Sequence, residues 1–259
     1  HRVPTPARQT GWRSARMKSV RLLLIRHGET DWNRALRFQG QIDVPLNAMG
    51  LEQARRVGQR LASLHRVGTA AVPDLHCSDL QRAVQTATPI TWASHDEPTG
   101  GSLHAQAVPL KTQQSLREQH FGIFEGKTAT EIQTQHPDLW DQWRRFDARF
   151  SLPQGGESTR DFHDRVIEAL LDLCRHTDCP DLTVVTHGGV LDMVWRHARD
   201  ESLDGPRRCD IPNAGLNRVR VESGRFYIDG WGDVEHLNGM PPQPVYRTTD
   251  AALPRHPIP

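Results

Sequence analysis

The sequence predicts an α/β protein built as a three-layer α/β/α sandwich: a mostly parallel central sheet, helices on both faces and an antiparallel edge. Three observations carry this expectation. Short apolar runs bounded by turn residues alternate with longer stretches of helical period, the pattern of repeating βα units. The run Arg21-Leu-Leu-Leu-Ile25 is apolar without alternation, as in a strand covered on both faces. Late in the chain, two alternating segments flank Ser223-Gly224, as in an antiparallel hairpin.

The elements follow in order. Arg21–Ile25 is the first strand. Asn47 caps a helix whose apolar positions Leu51, Ala54, Val57, Leu61 and Leu64 recur every three or four residues. Asp74–Cys77 is a second, shorter strand, and Ser78 or Asp79 caps the helix behind it. Leu139, Trp143, Phe146 and Phe150 recur at helical spacing behind Pro137-Asp138, with Trp140 beside them, and predict a small helical lid within an insertion at about 119–156. Ser158, three residues before Asp161, opens a helix with Phe162, Val166, Ala169, Leu170 and Leu173 on one face. Leu182–Val185 is the third strand, with a helix starting near Gly189. Asn217–Val221 and Arg225–Ile228 form the edge hairpin.

Composition narrows the function. The 259 residues carry 32 Lys and Arg against 31 Asp and Glu, a net charge of +1, whereas a surface that tracks phosphate backbones needs a clear basic excess. A nucleic-acid partner is not expected. The longest apolar run, Leu22–Ile25, is far short of the roughly 20 residues of a membrane-spanning helix, so no membrane partner is expected either. Four cysteines make no disulfide framework in a chain of this length, which points to the reducing cytoplasm. Cys174, His176 and Cys179 have no fourth ligand nearby, and a helix end with unpaired thiols is the plainer reading. Residues 1–18 are basic, without Asp or Glu, and read as an extension; 238–259 is a Pro-rich tail, which leaves a homodimer open; the body spans 19–237.

Chemistry concentrates where the three strands end: Arg26-His27-Gly28-Glu29-Thr30, Ser78-Asp79-Leu80-Gln81-Arg82 and Thr186-His187-Gly188-Gly189. Ligands of a parallel α/β sheet sit beyond the carboxyl ends of the strands, so these segments are expected to share one pocket. Two guanidiniums match phosphate oxygens, and a neutral imidazole is a competent nucleophile toward phosphorus. Gly122-Ile-Phe-Glu-Gly126-Lys127-Thr128 imitates a phosphate-binding loop, but it has three residues between its glycines where that loop needs four, and no strand precedes it.

Arg26-His27-Gly28-Glu29-Thr30, followed by Trp32-Asn33, resembles the signature of the histidine phosphatase superfamily in its phosphoglycerate mutase-like branch. At ~5% usage per residue, such a five-residue string arises by chance on the order of once in ten thousand chains of this length. The resemblance continues through Gln39-Gly40, Ser78 to Ala83, Leu116-Arg-Glu118, Phe124-Glu-Gly126, Gly155-Gly-Glu157-Ser158, Thr186-His187-Gly188, Asn213 and Trp231 to Leu237. It implies a histidine acid-type phosphatase that takes a small phosphorylated substrate, without metal or cofactor. His27 is implied as the nucleophile that becomes phosphohistidine, with Arg26, Arg82 and a protonated His187 around the transferring group. Glu118 matches the acid that protonates the leaving oxygen, and it must carry a proton in the first step. Asn33, Gln39, Gly40 and Gly188 match further phosphate or substrate contacts. The short segment from Glu118 to Ser158 resembles phosphatases rather than mutases, and a phosphoglycerate mutase using the same His27 phosphoenzyme is the alternative; a non-catalytic phosphate-binding module is a remote one. A lid helix packed on the body is the plain reading of the aromatic stripe, whereas a stripe exposed over the pocket would favour apolar or aryl leaving groups.

Overall fold

A computed structural model describes residues 19–66, 74–92 and 108–243. The extension expected at 1–18 and residues 244–259 of the Pro-rich tail expected at 238–259 lie outside the described residues. Among these, six strands form one sheet: β1 (Ser19–Arg26), β2 (Asp74–Ser78), β3 (Leu110–Gln113), β4 (Asp181–Thr186), β5 (Leu216–Glu222) and β6 (Arg225–Asp233), in the order β3-β2-β4-β1-β5-β6. β3, β2, β4 and β1 run parallel, and β5 and β6 add the antiparallel edge. The hairpin turns at Ser223 (φ 53°) and Gly224 (φ 79°), and two successive left-handed residues give the turn whose twist matches the flanking strands.

Successive side chains of β1 point to opposite faces, and both faces are buried. Val20, Leu22 and Leu24 join Phe162, Val166 and Leu170 of α6 (Thr159–His176) and Val190 and Val194 of α7 (Gly188–Ala198). Ile25, with Leu75, Cys77 and Val185, packs against Val57 and Leu61 of α2 (Ala48–Arg66) and Ala83 and Ala87 of α3 (Gln81–Ala87). Each fully buried aliphatic side chain contributes about 1.5–3 kcal/mol. The helices begin where capping chemistry places them: Asn47 Oδ1 accepts the Gly50 amide at 2.9 Å, and Ser158 Oγ accepts that of Asp161 at 3.1 Å.

The structure corrects the sequence reading in four places. Neither Ser78 nor Asp79 caps α3; Leu80 occupies that position without a side-chain bond. Leu51 and Leu64 lie exposed, because the buried stripe of α2 is narrower than its period. β3 is an extra edge strand, with the polar sequence Leu-Lys-Thr-Gln and a mostly exposed surface. The aromatic stripe is not one helix: after α4 (Ala129–Gln135), α5 (Pro137–Trp143) stops within two turns, and Phe146 adopts φ 52°. Trp140 is the buried member, stacked on Trp143 with ring centroids 5.5 Å apart. Phe38, Phe121, Phe124, Ile132 and Trp140 give this segment a core of its own.

Candidate active site

Register aligns the ends of the three central strands. Ile25, Val185 and Cys77 share one row of the sheet, so Arg26, Thr186 and Ser78 leave it side by side. Backbone bonds hold the departing chain there: the His27 amide donates to Thr186 O (2.9 Å), and Asn213 Nδ2 donates to His27 O (3.0 Å). Asn213 comes from a segment whose next residue, Ala214, holds φ 56°, a strained conformation for a residue with a Cβ.

His27 and His187 face each other with ring centroids 5.2 Å apart, both buried. His27 Nδ1 lies 2.7 Å from Gly28 O. A carbonyl can only accept, so Nδ1 carries the proton and Nε2 keeps its lone pair. His187 Nε2 bonds with Ser78 Oγ at 2.8 Å, and His187 Nδ1 is without a hydrogen-bond partner among the described residues. Arg82 is fully buried, donating to Ile42 O (2.8 Å) and Gly40 O (2.7 Å), with its Nε unpartnered among the described residues. Arg26 donates to Ile211 O at 2.6 Å.

Burial first, then Arg82 and Arg26, hold the His27 pKa well below the ordinary imidazole value. The same holds for His187, through burial, then Arg82, His27 and Arg26. The sequence reading gives His187 a proton while it stabilises the transferring phosphoryl group; in the structure burial and the neighbouring cations disfavour that proton. Arg82 is pushed down to about 10, mainly by burial, and keeps its charge.

The remaining residues singled out by the sequence are brought to the same place, with differing contacts. Thr30 Oγ1 donates to Gln39 Oε1 (2.9 Å), and Asn33 Oδ1 accepts the Thr30 amide (3.0 Å), so Asn33 and Gln39 form one buried chain beside His27. Gly40 positions Arg82 through its carbonyl, and at φ 51° a Cβ there would strike the Glu125 carboxylate. Glu118 follows β3 and is held by two amides, Gln119 N (2.9 Å) and Gly189 N (3.0 Å). That approach requires glycine, because a Cβ at Gly189 would collide with Glu118 Oε1. Gly188 opens α7 directly after His187, and a Cβ there would lie 3.3 Å from Arg26 Nε.

A cavity of about 110 Å³ is lined by Glu118 and Gly189 together with Trp143, Phe146, Phe150 and Met193. Part of the aromatic stripe therefore does line a cavity at the site, although not as a helix. Sequence reasoning missed Ser78 as a partner of His187, and it missed Arg165. Arg165 grips Glu157 with two bonds (2.7 and 2.8 Å) and donates to the carbonyls of Ser115, Arg117 and Glu118, fixing the segment after β3 that presents Glu118. On the sequence, Arg165 is indistinguishable from the other charges of an amphipathic helix.

The loop-like stretch from Gly122 to Thr128 is structural: Lys127 donates to Ile123 O, and Thr128 caps α4 in a reciprocal pair with Glu131. Among the described residues, no group of three or more His, Cys, Asp or Glu is arranged to hold a metal ion, and no helix is long and apolar enough to cross a membrane.

A family model described as histidine phosphatase superfamily (branch 1) matches residues 22–234. The chain is 33% identical over 219 residues to a metal-independent phosphoserine phosphatase of Arabidopsis thaliana, covering 85% of this chain and 84% of that one. It is 31% identical over 217 residues to phosphoglycerate mutase-like protein 4 of the same plant, covering 83% and 86%. Among solved structures it is similar to YhfR of Bacillus stearothermophilus, with a TM-score of 0.66 and 33% identity, covering 84% of this chain and 99% of that one.

Proposed function

The chain belongs to the histidine phosphatase superfamily (branch 1), and from that premise we propose that it hydrolyses small phosphomonoesters, without a metal, through a phosphohistidine formed at His27. The observation that carries this reading is the tie of His27 Nδ1 to Gly28 O, which leaves Nε2 as the lone-pair nitrogen in a pocket of buried cations.

His27 Nε2 attacks phosphorus and the P–O ester bond breaks. Charge gathers on the equatorial oxygens, where Arg26 and Arg82 are already in place, so little reorganisation is needed. An arriving phosphate dianion supplies the counter-charge that His187 lacks, and the ring, braced by Ser78, takes up a proton and becomes a third cation. Glu118 donates its proton to the departing oxygen. It then takes one from water, whose oxygen attacks phosphorus as the P–N bond breaks, releasing phosphate and neutral His27. Asn33, Gln39 and the Gly188 amide add contacts to the phosphoryl oxygens, and Gly40 holds Arg82 in position. The depressed His27 pKa keeps the nucleophile neutral on the acid side of neutrality, which supports the acid-type assignment.

The leaving group occupies the cavity beside Glu118. At about 110 Å³ it is small against the roughly 300–1,000 Å³ of drug-sized pockets, which favours compact metabolites. The phosphoserine phosphatase among the relatives is consistent with such a substrate. A mutase is the second reading, motivated by the mutase-like relative. Phosphate release from p-nitrophenyl phosphate and small metabolite esters, in chelator, by wild type and His27→Ala separates the two when phosphoglycerate isomerisation is followed in parallel. Release that vanishes in the variant supports the phosphatase; isomerisation without net release sinks it in favour of the mutase.

A further inference from the structure

We infer that Gln243 is a positioning residue for phosphoryl transfer. It comes from the Pro-rich tail, beyond the residues 22–234 that the family model matches; it clamps the backbone of Asn213 and through Asn213 holds His27 in place for attack. The inference rests on the phosphatase reading above and adds a residue to the machinery of that same site.

The segment 210–215, between α7 and β5, backs the nucleophile. Ile211 O accepts from Arg26 Nη1 (2.6 Å), and the His27 carbonyl accepts from Asn213 Nδ2 (3.0 Å) and from the Ala214 amide (3.3 Å). The same Asn213 Nδ2 stands 3.4 Å from Asn33 Oδ1. The segment belongs to no helix or strand, and Ala214 is held at φ 56°, so its position depends on what fastens it from outside. The last part of the chain fastens it: Trp231 Nε1 donates to Asp210 O (3.0 Å), His236 Nε2 to Ala214 O (3.0 Å), and Gln243 closes on Asn213.

The Gln243 clamp takes both main-chain groups of one residue. The Asn213 amide donates to Gln243 Oε1 (2.7 Å), and Gln243 Nε2 donates to Asn213 O (2.9 Å). A backbone amide only donates and a carbonyl only accepts, so the carboxamide has one orientation here. Gln243 makes no other hydrogen bond among the described residues, so whatever its side chain contributes passes to Asn213, whose own carboxamide carries the hold to His27 O. The reach of Gln243 is set before the clamp closes. Leu237 is buried, Arg56 Nη1 donates to Asn238 O (2.8 Å), and Met240 packs on the core beside α2. Pro241 and Pro242 then precede Gln243 and Pro244 follows it, which restricts the backbone and lowers the entropy lost on ordering.

The test uses p-nitrophenyl phosphate with wild type and Gln243→Leu, which keeps the bulk and removes both bonds. kcat is expected to fall about tenfold, within the worth of two hydrogen bonds, with KM nearly unchanged. Two inhibitors separate the nucleophile from the rest of the pocket. Vanadate imitates the five-coordinate transition state by bonding His27 Nε2, so its inhibition should weaken by the same factor; inorganic phosphate, held by the cations alone, should inhibit as before. Unchanged kcat in Gln243→Leu overturns the inference. Equal weakening of vanadate and phosphate also overturns it, because the tail would then shape the whole anion pocket. In wild type, the Asn213 amide is expected to exchange with deuterium at least about tenfold more slowly than an unprotected amide; exchange at the unprotected rate overturns the inference even if the variant fails to fold. Absence of phosphate release from this ester in wild type overturns the phosphatase reading, and this inference with it.

Discussion

At the scale of single residues, the site is organised by what its buried histidines cannot do. Neither His27 nor His187 can hold a proton easily among Arg26 and Arg82 without an anion, and both pKa values lie well below 6.5. The nucleophile stays neutral as pH falls through 6.5, so the acid limb of kcat/KM is expected below that value; a limb centred at 6.5 or above would contradict the assignment. Ser78→Ala removes the brace of a buried ring, a loss of about 1–3 kcal/mol that should lower kcat/KM by roughly tenfold or more. Unchanged kinetics in that variant would show that His187 needs no positioning. Arg26, His27, Arg82 and His187 were readable from the sequence because strand ends locate them. Glu118 follows an edge strand that carries no hydrophobic signal, and spacing alone did not separate it from Glu125 or Glu131. Arg165 reaches the site from a helix position where an arginine is ordinarily a surface charge.

At the scale of elements, burial rather than periodicity decides which positions matter. Leu61 and Leu51 belong to the same helical stripe of α2, yet Leu61 is buried and Leu51 is half exposed. Leu61→Ala is expected to cost about 2–5 kcal/mol in urea unfolding, and Leu51→Ala no more than about 0.5 kcal/mol. Equal costs would mean that α2 packs differently. β1 was legible as a continuous apolar run, β2 and β4 as short runs ahead of polar, glycine-bearing or capping residues, and the β5–β6 hairpin through its Ser-Gly turn. β3 was not, because an edge strand paired on one side only need not bury a face. The aromatic spacing from Leu139 to Phe150 is helical in sequence, but Phe146 takes a left-handed conformation, so those side chains meet around Phe38 and Phe124 instead of along one helix. Gly189→Ala should uncouple α7 from Glu118 and lower kcat while α7 itself persists. A fully active variant would place the acid elsewhere.

At the scale of the whole molecule, the same burial makes stability depend on pH. His27, His76, His187, His197 and His236 all have native pKa values lowered by burial. As pH falls below 6.5, the unfolded chain takes up protons at these rings and the native chain does not. Stability is therefore intact above that pH and is lost as pH descends toward the depressed native values. Thermal midpoints should fall between about pH 7.5 and 5.5, and less steeply with phosphate bound, since an anion lets His187 take up a proton in the native state. A flat profile would contradict the burial of the pair. The central claim concerns a covalent bond, and the most direct measurement is to quench the enzyme during turnover of a phosphomonoester and map acid-labile phosphate along the chain by mass spectrometry. Phosphate on His27, absent from His27→Ala, is the result this account predicts; turnover with no phosphate on His27, or with the label on another residue, would contradict it.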